Sequence, residues 1–223
     1  NDIAHDLRTP LARLRQSLEE ASRSSTSLAD MQGRVALANE QVEDILATFA
    51  ALLRIAQIEG GQRRAGFAEL DLSALVAGVA EDWRAVAEEK GQTLTTDVEA
   101  ALAMSGDREL LVQLLVNLVE NAIRHTPEGA RIDVSLKRDG AATTLAVADD
   151  GPGVAADERD KIFRRFYRTE RSRTTPGGGL GLAMAAAIAD LHGASVAALD
   201  NAPGLRVEVR FPVAEMRRHI GKP

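Results

Sequence analysis

Two stretches near the beginning of the chain repeat apolar residues at alternating steps of three and four positions. The first repeat covers residues 1–21 and the second covers residues 31–57, with a serine-rich break at residues 22–27. Such a repeat places its apolar residues on one side of a helix. They are Ala4, Leu7, Leu11, Leu14, Leu18 and Ala21, then Val35, Ala38, Val42, Ile45, Phe49, Leu52 and Ala56. The pattern predicts an antiparallel helical hairpin.

Two helices alone leave much of both apolar stripes in contact with water. Two hairpins that pair in a four-helix bundle cover these stripes, so we predict a homodimer. The alternative is a hairpin that packs on the rest of its own chain. Periodicity alone leaves both arrangements open.

The repeat ends at Gly60 and Gly61, and the polar residues up to Arg64 start no other regular pattern. This composition is typical of a linker. We therefore predict two domains, residues 1–61 and residues 62–223.

The second domain alternates between helical and extended patterns. We predict a helix capped by Ser73 and ended by Gly91, then helices at residues 108–124, 157–167 and 180–192. Strands are predicted at residues 93–98, 132–136 and 145–148, with a turn at residues 139–140 and a last pair on either side of residues 201–204. The sequence thus predicts an α+β fold in which helices cover one face of a mostly antiparallel sheet.

The amino-acid composition excludes some kinds of binding site and disfavours some kinds of partner. The chain has no cysteine, which excludes disulfides and thiolate metal sites and fits the cytoplasm. Its net charge of -6 disfavours non-specific binding to nucleic acid. It contains no apolar run long enough to span a membrane and no signal peptide. Because only four residues precede His5 and none is an initiator methionine, we expect a fragment of a longer protein that carries an anchor or a sensor.

His5 lies one position from the first apolar stripe, on an accessible flank of the predicted helix. A neutral imidazole attacks phosphorus through one ring nitrogen, while the carboxylate of Asp6 accepts a hydrogen bond from the other. Thr9 lies one turn further along the same side, and Pro10 bends the helix beside the histidine. The alternative is an ordinary surface histidine near a helix start.

A polar stripe of Gln113, Asn117, Asn121 and Arg124 runs along the helix at residues 108–124. Magnesium bound to phosphate oxygens needs only one or two protein oxygens, so Asn121, with Asn117 in support, is a candidate ligand. By itself, such a stripe is also typical of a solvated helix face.

Two glycine-rich loops complete the candidate chemistry. Asp149 follows a strand and can accept a hydrogen bond from an adenine amino group, while Gly151 and Gly153 permit close backbone approach. A simple tight turn is an equally good interpretation. The loop at residues 177–182 opens a helix and can cradle phosphate, although it lacks the Lys-Ser/Thr of a P-loop and a flexible hinge is the alternative.

The segment between these loops is basic and aromatic. We interpret it as a mobile lid over nucleotide phosphates rather than a nucleic-acid surface, because the chain is acidic overall. Its basic residues are Lys161, Arg164, Arg165, Arg168, Arg171 and Arg173, and its aromatic residues are Phe163, Phe166 and Tyr167.

Together these motifs resemble those of the sensor histidine kinases of two-component signalling, over nearly the whole chain. The sequence His-Asp-Leu-Arg-Thr-Pro at residues 5–10 resembles the H box, and Asn-Leu-Val-Glu-Asn-Ala at residues 117–122 resembles the N box. Residues 149–153, 163–167 and 177–182 resemble the G1, F and G2 boxes. Gly204, Leu205 and Arg206 stand where the family often has a Gly-Thr pair, so no role is carried over there.

The resemblance implies a dimeric four-helix bundle with the phosphotransfer histidine, followed by an α/β sandwich of the Bergerat, or GHKL, type. It implies that His5 accepts the γ-phosphoryl group of ATP, that Asp6 acts as acid or base, and that Thr9 orients water in dephosphorylation. It also implies the following nucleotide and magnesium contacts: Asn117, Asn121, Arg124, His125, Asp149, Gly151, Gly153, Arg168, Gly177, Gly179, Leu180, Gly181 and Leu182.

The implied activity is that of an ATP-dependent protein histidine kinase. It would pass the phosphoryl group to an aspartate of a response regulator receiver domain, and also dephosphorylate that regulator. The implied location is the cytoplasmic portion of an inner-membrane sensor kinase. A non-kinase dimeric scaffold or a net phosphatase is the alternative function.

Overall fold

The computed structural model describes residues 27–60, 66–140, 142–170 and 178–212, together with residues 12, 14–16, 18–20 and 23. The chain divides into two compact units, Asn1–Ala56 and Gln57–Pro223. The predicted linker at residues 61–64 lies outside the described residues, so the domain boundary near residue 62 stays a prediction.

One long helix, α1 (Leu28–Glu59), carries the second apolar repeat, as predicted. Ser27 caps its beginning, because the Ser27 hydroxyl accepts a hydrogen bond from the Asp30 backbone N–H at 3.1 Å. The described residues from 12 to 23 are also helical, which agrees with the first predicted helix as far as they go.

The repeat of α1 divides between two sides of the helix. Ala38 and Leu52 are buried, whereas Val35, Val42 and Phe49 are exposed, and so is Ala56. Large apolar residues therefore form a line on the exposed side, which we call the exposed stripe: Leu28, Met31, Val35, Val42, Leu46, Phe49 and Leu53. The predicted single stripe is thus two lines, one of which is exposed in the described part of the chain.

The second unit follows α1 with seven strands and three helices in its described part. In chain order they are β1 (Ala68–Asp71), α2 (Leu72–Glu89), β2 (Thr93–Val98), β3 (Ala103–Gly106), α3 (Arg108–His125), β4 (Arg131–Asp139), β5 (Ala142–Asp149), α4 (Gly181–Leu191), β6 (Ser195–Asp200) and β7 (Leu205–Pro212).

The main sheet has five strands in the order β2-β4-β5-β7-β6. The β2–β4 pair is parallel and the other pairs are antiparallel, which confirms the predicted mostly antiparallel sheet. Gly140 makes the predicted turn with a φ of +51°. A separate antiparallel pair, β1 with β3, was not expected from the sequence.

The core of this unit lies between the helices and one face of the sheet. Alternate residues of β4, β5 and β7 point inward, and Leu114 and Leu115 of α3 are fully buried. The inward sheet residues are Ile132, Val134, Leu136, Leu145, Val147, Val207, Val209 and Phe211. The two-residue period of a strand therefore closes this core within one chain.

Ser73 does not cap α2, contrary to the prediction. Asp71 is the N-cap, and its carboxylate accepts a hydrogen bond from the Ala74 N–H at 3.0 Å. The Ser73 hydroxyl is buried instead, where it donates to the Glu99 carbonyl at 2.6 Å and accepts from the Leu102 N–H at 3.0 Å. The predicted end of α2 is confirmed, since Gly91 directly follows the C-cap residue Lys90 and has a φ of +66°.

The predicted helix at residues 157–167 is wrong. The segment forms consecutive turns, in which the N–H groups of Lys161 and Ile162 both donate to the Glu158 carbonyl. Phe166 adopts a φ of +60°, and its N–H donates to the Gly179 carbonyl at 3.0 Å. This long-range contact turns the backbone out of a helical path, which local propensity does not reveal.

Among the described residues, no helix is both long and apolar enough to cross a membrane.

Candidate nucleotide-binding site

A cavity of about 620 Å³ opens in the second unit, between α3, the loop after β5 and the beginning of α4. Its lining comes from segments far apart in the sequence: Asn117, Glu120, Asn121, Arg124, His125, Thr126, Pro127, Asp149, Asp150, Gly151, Pro152, Gly153, Val154, Ile162, Tyr167, Arg168, Thr169, Gly179, Gly181, Leu182 and Leu205. The fold therefore brings the predicted N, G1, F and G2 motifs to one place.

Asp149, the last residue of β5, is held by backbone donors on one side of its carboxylate. The N–H groups of Gly151 and Leu205 donate to Asp149 Oδ1 at 3.0 and 3.3 Å. The Asn201 side-chain amide donates to the Asp149 carbonyl at 2.7 Å. Because both backbone donors bind Oδ1, Oδ2 remains as the acceptor for a ligand in the cavity.

Burial raises the pKa of Asp149 above its ordinary value. The hydrogen bonds from Gly151 and Leu205 lower the pKa, and the neighbouring Asp150 carboxylate raises it. Taken together, these effects raise the pKa of Asp149. The carboxylate nevertheless meets a fixed pair of N–H dipoles, which is the arrangement expected for a group that binds in its charged form.

Two glycines allow the backbone to pack tightly around Asp149. Gly204 has a φ of +112°, and a Cβ atom there would lie 1.7 Å from the Asp149 carbonyl oxygen. A Cβ atom on Gly151 would lie 2.7 Å from Cγ2 of Thr126. The predicted close approach at Gly151 is therefore present, and Gly204 contributes a second one.

Asn117, Asn121 and Arg124 of the polar stripe of α3 line this cavity. Asn117 Oδ1 accepts a hydrogen bond from the Gln113 side chain at 3.2 Å, whereas Asn117 Nδ2 is buried with no hydrogen-bond partner in the described residues. Asn121 is half-buried and lines the cavity one turn further on. An unpaired N–H donor beside an amide oxygen suits a ligand that carries oxygen atoms and a cation.

The side chains that line this cavity suit magnesium only when the ion is also bound to phosphate oxygens. The described residues contain no cluster of three or more His, Cys, Asp or Glu side chains that could hold a metal ion. Since magnesium on a nucleotide keeps several waters and needs only one or two protein oxygens, Asn121 is a side chain that could hold it.

His125 lies at the end of α3 among positive charges. Its burial, followed by the charges of Arg124, Arg168 and Lys90, lowers the pKa of His125 below 6.5. His125 is therefore mostly uncharged near neutral pH. Arg124 itself forms an ion pair with Glu120, so its guanidinium is partly engaged.

The segment predicted as a lid contacts the G2 loop. Tyr167 and Arg168 line the cavity, and the Tyr167 hydroxyl donates to Glu158 Oε1 at 2.7 Å. Gly179, Gly181 and Leu182 line the cavity as well, whereas Leu180 is buried and is not among the lining residues. Gly177, Arg171 and Arg173 lie outside the described residues.

The nucleophile candidates His5, Asp6 and Thr9 also lie outside the described residues, so their roles stay predictions. Sequence reasoning missed three residues that shape the cavity around Asp149, namely Thr126, Asn201 and Leu205. For Asn201 and Leu205, the sequence signal was the predicted turn at residues 201–204. A turn does not indicate a contact with Asp149, which lies some fifty residues earlier in the chain.

The fold and the cavity together define an ATP-binding domain. Residues 106–215 match the family model described as "Histidine kinase-, DNA gyrase B-, and HSP90-like ATPase". The chain is 30% identical to the sensor-like histidine kinase SenX3 of Mycobacterium tuberculosis (strain ATCC 25618 / H37Rv), over 87% of this chain and 48% of SenX3. It is 34% identical to the signal transduction histidine-protein kinase BaeS of Escherichia coli (strain K12), over 98% of this chain and 47% of BaeS.

Solved structures agree with these relatives. Full-length ShkA in complex with AMPPNP superimposes with a TM-score of 0.67 at 27% identity, over 95% of this chain and 44% of ShkA. The histidine kinase ThkA, in complex with the response regulator protein TrrA, has the same fold with a TM-score of 0.73 at 19% identity, over 97% of this chain and 61% of ThkA.

Residues 106–215 belong to this ATPase family, and over most of its length the chain is similar to sensor histidine kinases. It spans about half the length of the curated relatives it matches.

Proposed function

We propose that this chain is the kinase part of an ATP-dependent protein histidine kinase of a two-component system. It transfers the γ-phosphoryl group of ATP to His5 and then to an aspartate of a response regulator receiver domain. The observation that carries the proposal is that one cavity is lined both by Asp149, held through Oδ1, and by the amide side chains of Asn117 and Asn121.

The nucleotide would lie with its base at Asp149 and its phosphates toward α3 and α4. Asp149 Oδ2 accepts a hydrogen bond from the exocyclic amino group of adenine. The phosphates approach Arg168, His125 and the N-terminus of α4, where the helix dipole and free N–H groups favour negative charge.

The amide side chains of α3 would hold the metal. Asn121 provides an oxygen ligand for Mg²⁺, and Asn117 Nδ2 donates to a phosphate oxygen or to a metal-bound water. Magnesium, when bound, neutralises negative charge on the phosphates and thereby favours attack by a neutral nucleophile.

His5 would act as the nucleophile. One nitrogen of its neutral ring forms the new bond to phosphorus, the bond from phosphorus to the bridging oxygen breaks, and ADP leaves. Asp6 holds the proton on the other nitrogen, and Thr9 positions water when the phosphorylated regulator is hydrolysed. Catalysis then rests mainly on positioning and on charge neutralisation.

A homodimer would complete the helical unit. The exposed stripe of α1 presents large apolar side chains that the described part of this chain does not cover. A second copy provides an identical stripe, so that two hairpins bury both in a four-helix bundle. The full-length protein would be anchored in the inner membrane, with this portion in the cytoplasm.

Incubation of the chain with γ-labelled ATP and magnesium tests the proposal. We expect label that is labile in acid and stable in alkali, as for a phosphohistidine, and we expect the His5→Gln variant to carry none while it still binds ATP. Label that survives His5→Gln would sink the assignment of the nucleophile.

Asp149→Asn tests the nucleotide site in the same assay. An asparagine that keeps its oxygen toward the N–H groups of Gly151 and Leu205 turns an amide donor toward the adenine amino group, so two donors face each other. We expect weaker ATP binding and no labelling. The matched control is Asp139→Asn at the exposed end of β4, which should behave as the parent chain. Equal ATP affinity of both variants by calorimetry removes Asp149 from this role.

A further inference from the structure

Gln92, just before β2, is a buried side chain outside the cavity with several hydrogen-bond partners. Its amide nitrogen lies within hydrogen-bond distance of four oxygens: Ile123 O at 3.0 Å, Thr126 O at 2.9 Å, Thr126 Oγ1 at 2.9 Å and Pro127 O at 3.3 Å. The residue is only 3% exposed. One side chain from the α2–β2 connection thus holds the whole C-terminal end of α3.

The orientation of the Gln92 amide follows from its neighbours. Three of the four oxygens are carbonyls, which only accept, and the Thr126 hydroxyl already donates to the Ala122 carbonyl at 2.9 Å. The nitrogen of Gln92 must therefore face them. Its oxygen Oε1 is buried without a hydrogen-bond partner in the described residues, which is unfavourable by itself. The hydrogen bonds that the Gln92 side-chain nitrogen donates offset this cost.

The residues that Gln92 holds form a wall of the nucleotide cavity. Thr126 and Pro127 both line the cavity, next to His125. The Thr126 methyl group occupies the space that a Cβ atom on Gly151 would need, at 2.7 Å. Gly151 in turn donates to the Asp149 carboxylate. A displacement of Thr126 therefore changes the room beside the base-binding aspartate.

We propose that Gln92 is a positioning residue of the nucleotide site, which acts through Thr126 and Pro127 and touches no nucleotide itself. The proposal rests on the proposed function in one respect, namely that the ligand of the cavity is ATP. It assigns to Gln92 an effect on ATP binding that is separable from its effect on the stability of the fold.

The second unit also offers a matched control. Ser73 is also a buried polar side chain of this unit, and its hydroxyl also holds two backbone groups, the Glu99 carbonyl and the Leu102 N–H. Ser73 does not line the cavity. Ser73→Ala should therefore lower the melting temperature without a change in ATP binding.

The experiment compares Gln92→Met with Ser73→Ala in the full chain. Methionine has nearly the volume and flexibility of glutamine but no donor. We expect Gln92→Met to raise the Kd for ATP, measured by calorimetry with magnesium, and the KM for ATP in autophosphorylation by about tenfold, the effect of one or two lost hydrogen bonds. The rate at saturating ATP should stay within about twofold, because the bound nucleotide restores the wall.

An unchanged Kd and KM in Gln92→Met overturns the proposal, and so does a Kd that rises equally in Ser73→Ala. If Gln92→Met does not fold, Thr126→Val takes its place, since it removes the hydroxyl that Gln92 holds and keeps the side-chain shape; an unchanged KM for ATP there overturns the proposal too. Failure of the parent chain to bind ATP contradicts the proposed function instead, so the two failures are distinguishable.

Discussion

Helix α1 and the second unit contain the same kinds of apolar residue but differ in how far they bury them. In the second unit, alternate residues of the strands and one side of each helix close a core inside a single chain. In α1, Leu46, Phe49 and Leu53 remain 43–55% exposed on the exposed stripe. The second unit therefore buries its apolar residues in its own core, whereas α1 leaves large apolar side chains exposed in the described part of the chain.

The two parts differ because of the periods of their sequences. A strand that alternates apolar and polar residues can bury one full face against helices of its own chain. A heptad repeat makes a narrow stripe that is buried only by a partner helix with the same repeat. Function follows the same division, since the described nucleotide cavity lies wholly in the second unit.

The largest effect should come from a charge in the exposed stripe. Phe49→Glu places one unpaired carboxylate per chain in the proposed dimer interface, and each buried unpaired charge costs about 3–5 kcal/mol. With two such charges, we expect dimerisation to weaken by at least about a thousandfold. Sedimentation equilibrium of the full chain measures this directly.

The control for Phe49→Glu lies in the second unit. Val86 of α2 is 40% exposed, close to the 43% of Phe49, but does not belong to the exposed stripe of α1. Val86→Glu should leave the dimer unchanged. If Phe49→Glu leaves it equally unchanged, α1 does not form the interface and the comparison between the two parts loses its basis.

A pair of leucines sharpens the comparison further. Leu114 of α3 is fully buried, whereas Leu46 of α1 is 55% exposed in the single chain. Leu114→Ala should lower the free energy of unfolding of the second unit by about 2–5 kcal/mol, through lost burial and a cavity. Leu46→Ala should change that unfolding by less than about 0.5 kcal/mol and should weaken only dimerisation.

Urea titration at several protein concentrations separates these two effects. The Leu114→Ala effect should be independent of protein concentration, while any Leu46→Ala effect should depend on it. A large, concentration-independent loss in Leu46→Ala would mean that the exposed stripe is covered within one chain.

A smaller effect concerns pH and belongs to the second unit alone. The pKa of Asp149 is raised, mainly by burial, so the folded state binds more protons than the unfolded state between the ordinary and the raised pKa. The contribution of Asp149 to stability is therefore present at low pH and is lost as pH rises through the raised pKa.

ATP binding should follow the opposite trend, because the adenine amino group needs the charged carboxylate. On acidification, we expect ATP affinity to fall by about tenfold as pH drops through the raised pKa of Asp149, the effect of one charge-assisted hydrogen bond. Calorimetry over this range measures it, with Asp149→Asn as the comparison. A parent chain whose affinity falls no more than that of Asp149→Asn would contradict the prediction.

Much of the fold was predictable because its signals are local. The alternation at residues 132–136, the glycine at residue 140 and the helical period at residues 108–124 each decide an element within a few residues. The short strands β1 and β3 were missed, since four residues carry little pattern and pair only with each other. Ser73 was misassigned because an N-cap serine and a buried serine look the same in sequence.

The candidate site was predictable to the extent that its residues belong to motifs. Three residues that line the cavity belong to short sequence motifs from which a nucleotide site can be predicted, namely Asn121, Asp149 and Gly151. Gln92 and Leu205 belong to no such motif, because their importance lies in contacts to residues distant in the chain. At residue 205 the acting group is a backbone N–H, which almost any residue type supplies, whereas Gln92 acts through its side-chain amide.

The sequence by itself determined the apolar periods, the glycine turns and the types of side chain that can bind a nucleotide, because each is a property of near neighbours. Only the tertiary structure decided that Phe166 leaves the helical path to meet Gly179, that one line of α1 stays exposed, and that Gln92 holds the wall beside Asp149. These features depend on contacts between distant segments, and such contacts override local preference once a core has closed around them.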